Sequence, residues 1–318
     1  MSLAFGTLET AHLPARHRFN FPYALAVLSR QRDGSVYAWT AGDSPDSLNR
    51  SFKWMSVTKF LVAIGFWVQE HGSNASAVPL DFWAPAGGFL PDSVRVVDLL
   101  AHCAGLPFDA PRESASASAG LGVKFGVAPL KQRSIPPFTK RIYSNYSFEV
   151  ATQIACEKLG MPWTDWIAAA LLKPLGMNGT KLAESPAWGA VSPISDLARL
   201  AAAVLSPEQL GLTETEVARN TAAVHPGLRG VLPGYGHQRD NLWAAGVELH
   251  GNKSPHYLPE DFPPDVIGHF GQSGSFIWVD RAAGAAGVFL GEKPFGLEHK
   301  EIWPSLNAQI RQLALLAN

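Results

Sequence analysis
The 318-residue sequence predicts an α+β fold: one discontinuous α/β domain, residues 1–76 and 241–318, interrupted by a mainly helical region, residues 77–240. Three observations carry this expectation. Near the start, Tyr23–Ser29 and Ser35–Thr40 are apolar runs on either side of Asp33-Gly34, a β-hairpin signal. Near the end, Trp243–His250, Gly274–Asp280 and Ala285–Leu290 are apolar and aromatic runs punctuated by glycine, which predicts strands. Behind them Ile302, Leu306, Ile310 and Leu313 recur at helical spacing, a terminal helix laid on a sheet. Sheet and covering helix supplied from both ends leave the middle as an insertion. No internal repeat is present.

The elements follow in order. Met1–Glu9 has no basic head followed by an apolar stretch, so no secretory leader is expected. After the hairpin, Phe60–Val68 is apolar on every face, which predicts a buried helix. It is too short to span a bilayer. Residues 77–182 alternate loops with short helices. Within them Glu113–Gly120 is a low-complexity Ser/Ala stretch, expected to form a mobile surface loop near the cleft. Pro136–Arg141 reads as turn and loop, with a helix beginning near Ser147. Ser195–Leu205 reads as a helix. Val266–Asp280 reads as strand, glycine turn, strand.

Three short segments carry chemistry. Ser56-Val57-Thr58-Lys59 stands at the front of the apolar helix. Residues three apart share a helix face, so Ser56 and Lys59 project side by side. The free N–H groups and dipole of a helix start favour negative charge. Burial lowers a lysine's proton affinity and makes it a base. A serine is a useful nucleophile only when a neighbour takes its proton. A capping serine followed by a solvated lysine is the structural alternative.

The second segment is Tyr143-Ser144-Asn145, the single Tyr-x-Asn of the chain. A tyrosine beside a cation can have its phenolate stabilised and exchange protons with a serine. Asn145 offers an amide for both Lys59 and a substrate carbonyl. The third is His269-Phe270-Gly271-Gln272. Strand alternation puts His269 and Gly271 on one face, and glycine there lets a substrate lie against the backbone. The N–H groups of Ser56 and Gln272 are then the two expected oxyanion donors.

In this order, Ser-x-x-Lys, Tyr-x-Asn and His-x-Gly, the sequence resembles the serine β-lactamase and penicillin-binding-protein superfamily. The nearest branch is that of class C β-lactamases and carboxylesterase-type hydrolases. Further segments agree: Phe52–Lys59 around the nucleophile, Asp98–Pro107 as the Leu-Leu-x-His-x-x-Gly-Leu loop, Pro174–Met177, Ser192–Ala198 and the strand Phe276–Asp280. The resemblance implies an α/β sandwich, an antiparallel sheet flanked by helices, with the site in the groove against the inserted region. It implies that Ser56 is acylated while Lys59 and Tyr143 share its proton, that Asn145 orients Lys59 and substrate, and that His269 faces the cleft. Many β-lactamases carry Lys-Thr-Gly at the third motif, where lysine meets the substrate carboxylate. His-Phe-Gly, with a mostly neutral histidine, points instead to esterase and amidase members.

The expected activity is therefore serine hydrolysis through an acyl-enzyme on ester or amide bonds, with a small-molecule ester, amide or lactam as partner. β-Lactamase or D-amino-acid peptidase activity is the alternative on the same scaffold. A binder that is acylated without turnover is the alternative from another class. No cofactor and no metal are called for. The composition is 47% hydrophobic and 17% charged, against a usual charged share of about 25%, which allows a large core. A net charge of −1, with no basic stripe, argues against nucleic acid and anionic membrane surfaces. Two cysteines, Cys103 and Cys156, make no disulfide framework, so reduced thiols in the cytoplasm are expected. Gly271–Ser275 fails as a nucleophile elbow because Ser275 replaces the last glycine. His250 and His256 are expected to be surface histidines rather than a zinc pair. Trp54 and Trp243 read as core residues, with acyl-pocket lining as the alternative.

Overall fold
A computed structural model describes residues 3–8, 13–71, 78–88, 90–110 and 135–317. The low-complexity Glu113–Gly120 stretch lies outside the described residues. The core is a seven-stranded sheet. Its strands are β1 (Ala4–Thr7), β2 (Tyr23–Arg30), β3 (Val36–Gly42), β4 (Glu248–Leu249), β5 (Ile267–Gly271), β6 (Ser275–Asp280) and β7 (Ala285–Gly291). They lie in the order β1-β3-β2-β7-β6-β5-β4, and every pairing is antiparallel except β1 with β3. Strands from the two ends of the chain meet at β2–β7, where Ala285 opposes Ser29 and Gly291 opposes Tyr23.

Both faces of this sheet are covered, so its central strands read as unbroken apolar runs. The period of two still sorts the side chains. Ala24, Ala26 and Leu28 of β2 join Ile277, Val279, Val288 and Leu290 in one core, with α1 (Thr58–His71) and Ile194–Leu205. Leu25, Val27, Phe276, Trp278 and Phe289 face the other way, onto Ile302, Trp303, Leu306 and Ile310 of the terminal helix Leu297–Leu316. Trp278 lies across Gly287, where an added Cβ would come within 2.6 Å of its ring. Its indole N–H donates to Asn307 Oδ1 at 2.8 Å, which pins the helix to the sheet.

α1 has the all-round burial expected of it: Thr58 to Trp67 are all buried. Two boundaries differ from expectation. The helix predicted near Ser147 spans Asn145–Leu159 and is capped by Ser144, whose hydroxyl accepts the Ser147 N–H at 2.8 Å. The run Trp243–His250 is not one strand. Gly246, at φ 88°, turns the chain sharply, Trp243 bridges back to Glu248, and only Glu248–Leu249 joins the sheet. The histidines predicted at the surface, His250 and His256, are buried. Each has a partner that spacing does not reveal: His250 Nδ1 meets the Phe262 carbonyl at 3.1 Å, and His256 Nε2 meets Glu248 Oε1 at 3.1 Å.

Candidate active site
Ser56 lies in a one-turn 3-10 segment, Met55–Val57, that leads into α1. Met55 has φ 48°, a left-handed conformation that few non-glycine residues adopt. Strain of this kind gathers at functional positions. β5 passes directly behind the turn. A Cβ on Gly271 would stand 2.2 Å from the Trp54 carbonyl oxygen and 3.2 Å from the Ser56 nitrogen. Only a glycine lets the strand approach so closely.

Lys59, one turn on, is fully buried. Its Nζ lies 2.6 Å from Asn145 Oδ1, 2.9 Å from the Ala187 carbonyl and 3.4 Å from Ser56 Oγ. Burial draws its pKa down to about 7, against the opposing pull of Glu149 and Asp109. The amine is therefore substantially neutral near neutral pH. A neutral amine has two protons and one lone pair. The two short contacts go to obligate acceptors and take the protons. The remaining direction, toward Ser56, is left for the lone pair.

The Tyr143 hydroxyl stands 3.4 Å from His269 Nε2. The expectation of a stabilised phenolate is corrected here. Burial pushes the phenol's pKa well up, and the influence of Ser56 only partly opposes it. Lys59 Nζ sits over the ring face, 4.9 Å from its centroid. Tyr143 holds its proton. His269 is buried, and its Nδ1 is 2.7 Å from the Phe270 carbonyl. That nitrogen must carry the proton, which leaves the Nε2 lone pair facing Tyr143. Burial, reinforced by Lys59, lowers its pKa to about 4, so the ring is neutral.

Asn145 occupies the first position of its helix. Its Oδ1 accepts from Lys59, and its Nδ2 donates to Asp109 Oδ1 at 2.8 Å. Gln272 is exposed in the turn after Gly271, and its carbonyl accepts the Phe295 N–H at 2.9 Å. Ser56, Lys59, Tyr143, Asn145, His269 and Gly271 thus converge, with Gln272 one residue beyond.

Several further groups support these residues; sequence reasoning weighs Trp243 as pocket lining and places His102 in the Asp98–Pro107 loop, but assigns no part to Arg141 or Glu149. Arg141 is buried and holds the loop before Tyr143 by donating to the carbonyls of Ala101 at 2.5 Å, Val224, and His225 at 2.9 Å. His102 Nδ1 accepts the Ser144 N–H at 3.2 Å, and its ring packs 4.7 Å from Tyr143. Trp243 is buried yet also walls the site, 5.4 Å from the His269 ring. Glu149 bonds Ser185 Oγ at 2.7 Å, and that hydroxyl accepts the Ala187 N–H at 3.1 Å. A backbone carbonyl such as Ala187's leaves no trace in sequence. Asp109 had one signal, its place two residues after Pro107 of the Gly-Leu-Pro loop.

The Beta-lactamase family model matches residues 25–311. The chain belongs to the beta-lactamase family. Among solved structures it is similar to a beta-lactamase from Mycobacterium bovis, at 33% identity and a TM-score of 0.78, over 96% of this chain and 99% of that one. It also resembles a penicillin-binding protein homologue from Pyrococcus abyssi, described as octameric. That match has 16% identity and a TM-score of 0.61, over 95% of this chain and 74% of the other, and speaks to fold alone. No curated relative matches. As in other beta-lactamase-family proteins, the sheet is antiparallel-dominated and helix-flanked. Among the described residues no helix is long and apolar enough to cross a membrane.

One cluster in this beta-lactamase-family chain has metal-like composition. Ligand atoms of Asp98, Cys103 and His225 lie within 4.8 Å of one another. The Asp98 carboxylate is already occupied: Arg95 donates to it at 2.8 and 3.1 Å, and His225 Nε2 lies 3.0 Å away. Burial pushes the Cys103 thiol up to about 12, so no thiolate is at hand. The cluster is an ion-paired scaffold for the loop.

Proposed function
We propose that the protein is a serine hydrolase that forms an acyl-enzyme on Ser56 and acts on carboxylic esters or amides, esters foremost. The observation that carries this reading is the allocation of Lys59: two N–H groups committed to Asn145 and Ala187, and the third direction given to Ser56 Oγ at 3.4 Å. Lys59 takes the hydroxyl proton as Oγ bonds to the substrate carbonyl carbon. The N–H groups of Ser56 and Gln272 hold the oxyanion. Tyr143, still protonated, gives its proton to the leaving oxygen or nitrogen and recovers one from the Lys59 ammonium. Water then repeats the sequence on the ester intermediate.

The neutral His269 supports an esterase over an enzyme for anionic lactams, because a neutral ring offers no charge to a substrate carboxylate. The similarity to the Mycobacterium bovis beta-lactamase favours lactam hydrolysis as the second reading. Turnover of p-nitrophenyl butyrate against a chromogenic cephalosporin separates the two. Labelling of Ser56 without turnover, read by intact mass, marks a binder. Ser56→Ala should abolish ester turnover and leave thermal melting nearly unchanged; unaltered kinetics would refute the assignment.

A further inference from the structure
A cavity of about 630 Å³ opens beside Tyr143, within the usual size range for a small-molecule site. It lies between the 140–143 loop and the two-stranded hairpin Gly230–Leu232/Gly236–Gln238, which a bridge from Arg141 to Gly230 holds together. Its wall is Phe108, Ile142, Tyr143, Val231 and Pro233. Its rim carries Lys140, Arg229 and His237. Phe108 is 50% exposed and Val231 45%, so apolar surface stands open where a bound molecule would cover it. Lys140 and Arg229 are exposed, and among the described residues neither has an ion-pair partner.

An apolar wall that includes the Tyr143 phenol, with a rim that carries two cations having no ion-pair partner among the described residues, selects a shape and a charge. We propose that this cavity receives the leaving-group arm of the substrate, and that the arm is an apolar chain or ring ending in a carboxylate held between Lys140 and Arg229. The proposal rests on the serine hydrolase reading, which puts Tyr143 on the leaving-group side. It moves anion recognition away from the third motif, whose His269 is uncharged, to the rim beyond Tyr143. Arg229 suits a carboxylate because its planar fork can donate two parallel hydrogen bonds, and Lys140 adds a second charge.

The test uses two acetate esters whose phenol leaving groups have nearly the same acidity: that of 3-(4-hydroxyphenyl)propanoate and that of its primary amide. They differ in charge only at the far end of the arm. The carboxylate should be favoured about tenfold in kcat/KM at low ionic strength, as expected for two solvent-exposed ion pairs. Added salt should erode the preference. The double variant Lys140→Ala/Arg229→Ala should bring the ratio of the two substrates close to unity. Arg229→Lys should keep most of it, and Arg229→Glu, which cancels the charge of Lys140, should abolish it. Equal rates for both esters in the unaltered protein, or a preference that survives the double variant, would overturn the proposal while leaving the hydrolase reading intact. No turnover of either ester and no acyl adduct would remove the hydrolase reading and this inference with it.

Discussion

In the proposed mechanism, Lys59 and Tyr143 divide the labour of one proton. Burial shifts them in opposite senses relative to neutrality, the amine down to about 7 and the phenol up. One is ready to accept and the other to donate. The acylation limb should therefore follow Lys59: kcat/KM for a neutral ester should climb as pH rises through about 7 and level off above it. A flat profile between pH 6 and 8 in steady-state assays would contradict a lysine base. Tyr143→Phe removes only the donated proton, and general acid–base roles are worth about 100- to 10,000-fold. A loss below threefold in kcat would demote Tyr143 to scaffolding. The pairing of Ser56 with Lys59 was legible in sequence, because a spacing of three residues at a helix start dictates it. The state of Tyr143 was not, since it depends on how deeply the folded chain buries the phenol. The burial of His250 and His256 was equally hidden, because Glu248 and the Phe262 carbonyl reach them only in the folded chain.

At the level of elements, the site is made by close approach. β5 runs behind the Ser56 turn because Gly271 has no side chain, and Met55 accepts φ 48° beside it. Gly271→Ala should push the strand and turn apart. The expected cost is about 1–3 kcal/mol of stability from overpacking, with a fall in kcat larger than the melting shift explains. Melting and initial rates on the same preparation check this, and an active Gly271→Ala protein would show that the strand is not what positions Ser56. The strands were legible because apolar runs between glycines have few other readings. Their exact ends were less so. Ser144 looks like part of a Tyr-Ser-Asn loop until its hydroxyl is seen capping the helix. The Trp243–His250 run looks like one strand until Gly246 turns it.

Across the whole molecule, burial favours the neutral form of the histidines it encloses. His250, His269 and His299 are each lowered to about 4, chiefly by desolvation. Between pH 6.5 and 4 the unfolded chain binds protons at these positions that the folded chain refuses. Stability must then fall as pH falls through that window. Glu248, whose carboxylate is held near 2 by Lys253 and His256 despite full burial, adds further loss below about 4.5. The melting temperature should drop steadily from pH 6.5 to 4, measured calorimetrically. A melting temperature that rises on acidification would show that these histidines are not buried neutral.

Lys59 draws its fixing partners from Asn145, 86 residues away, and from the Ala187 carbonyl, 128 residues away. A newly made chain that has coiled its first helix but not yet gathered those later pieces carries a hydrated ammonium there, and its serine is chemically mute. On the proposed mechanism, reactivity is thus a certificate that the remote segments are home, and half-made molecules are spared acylation.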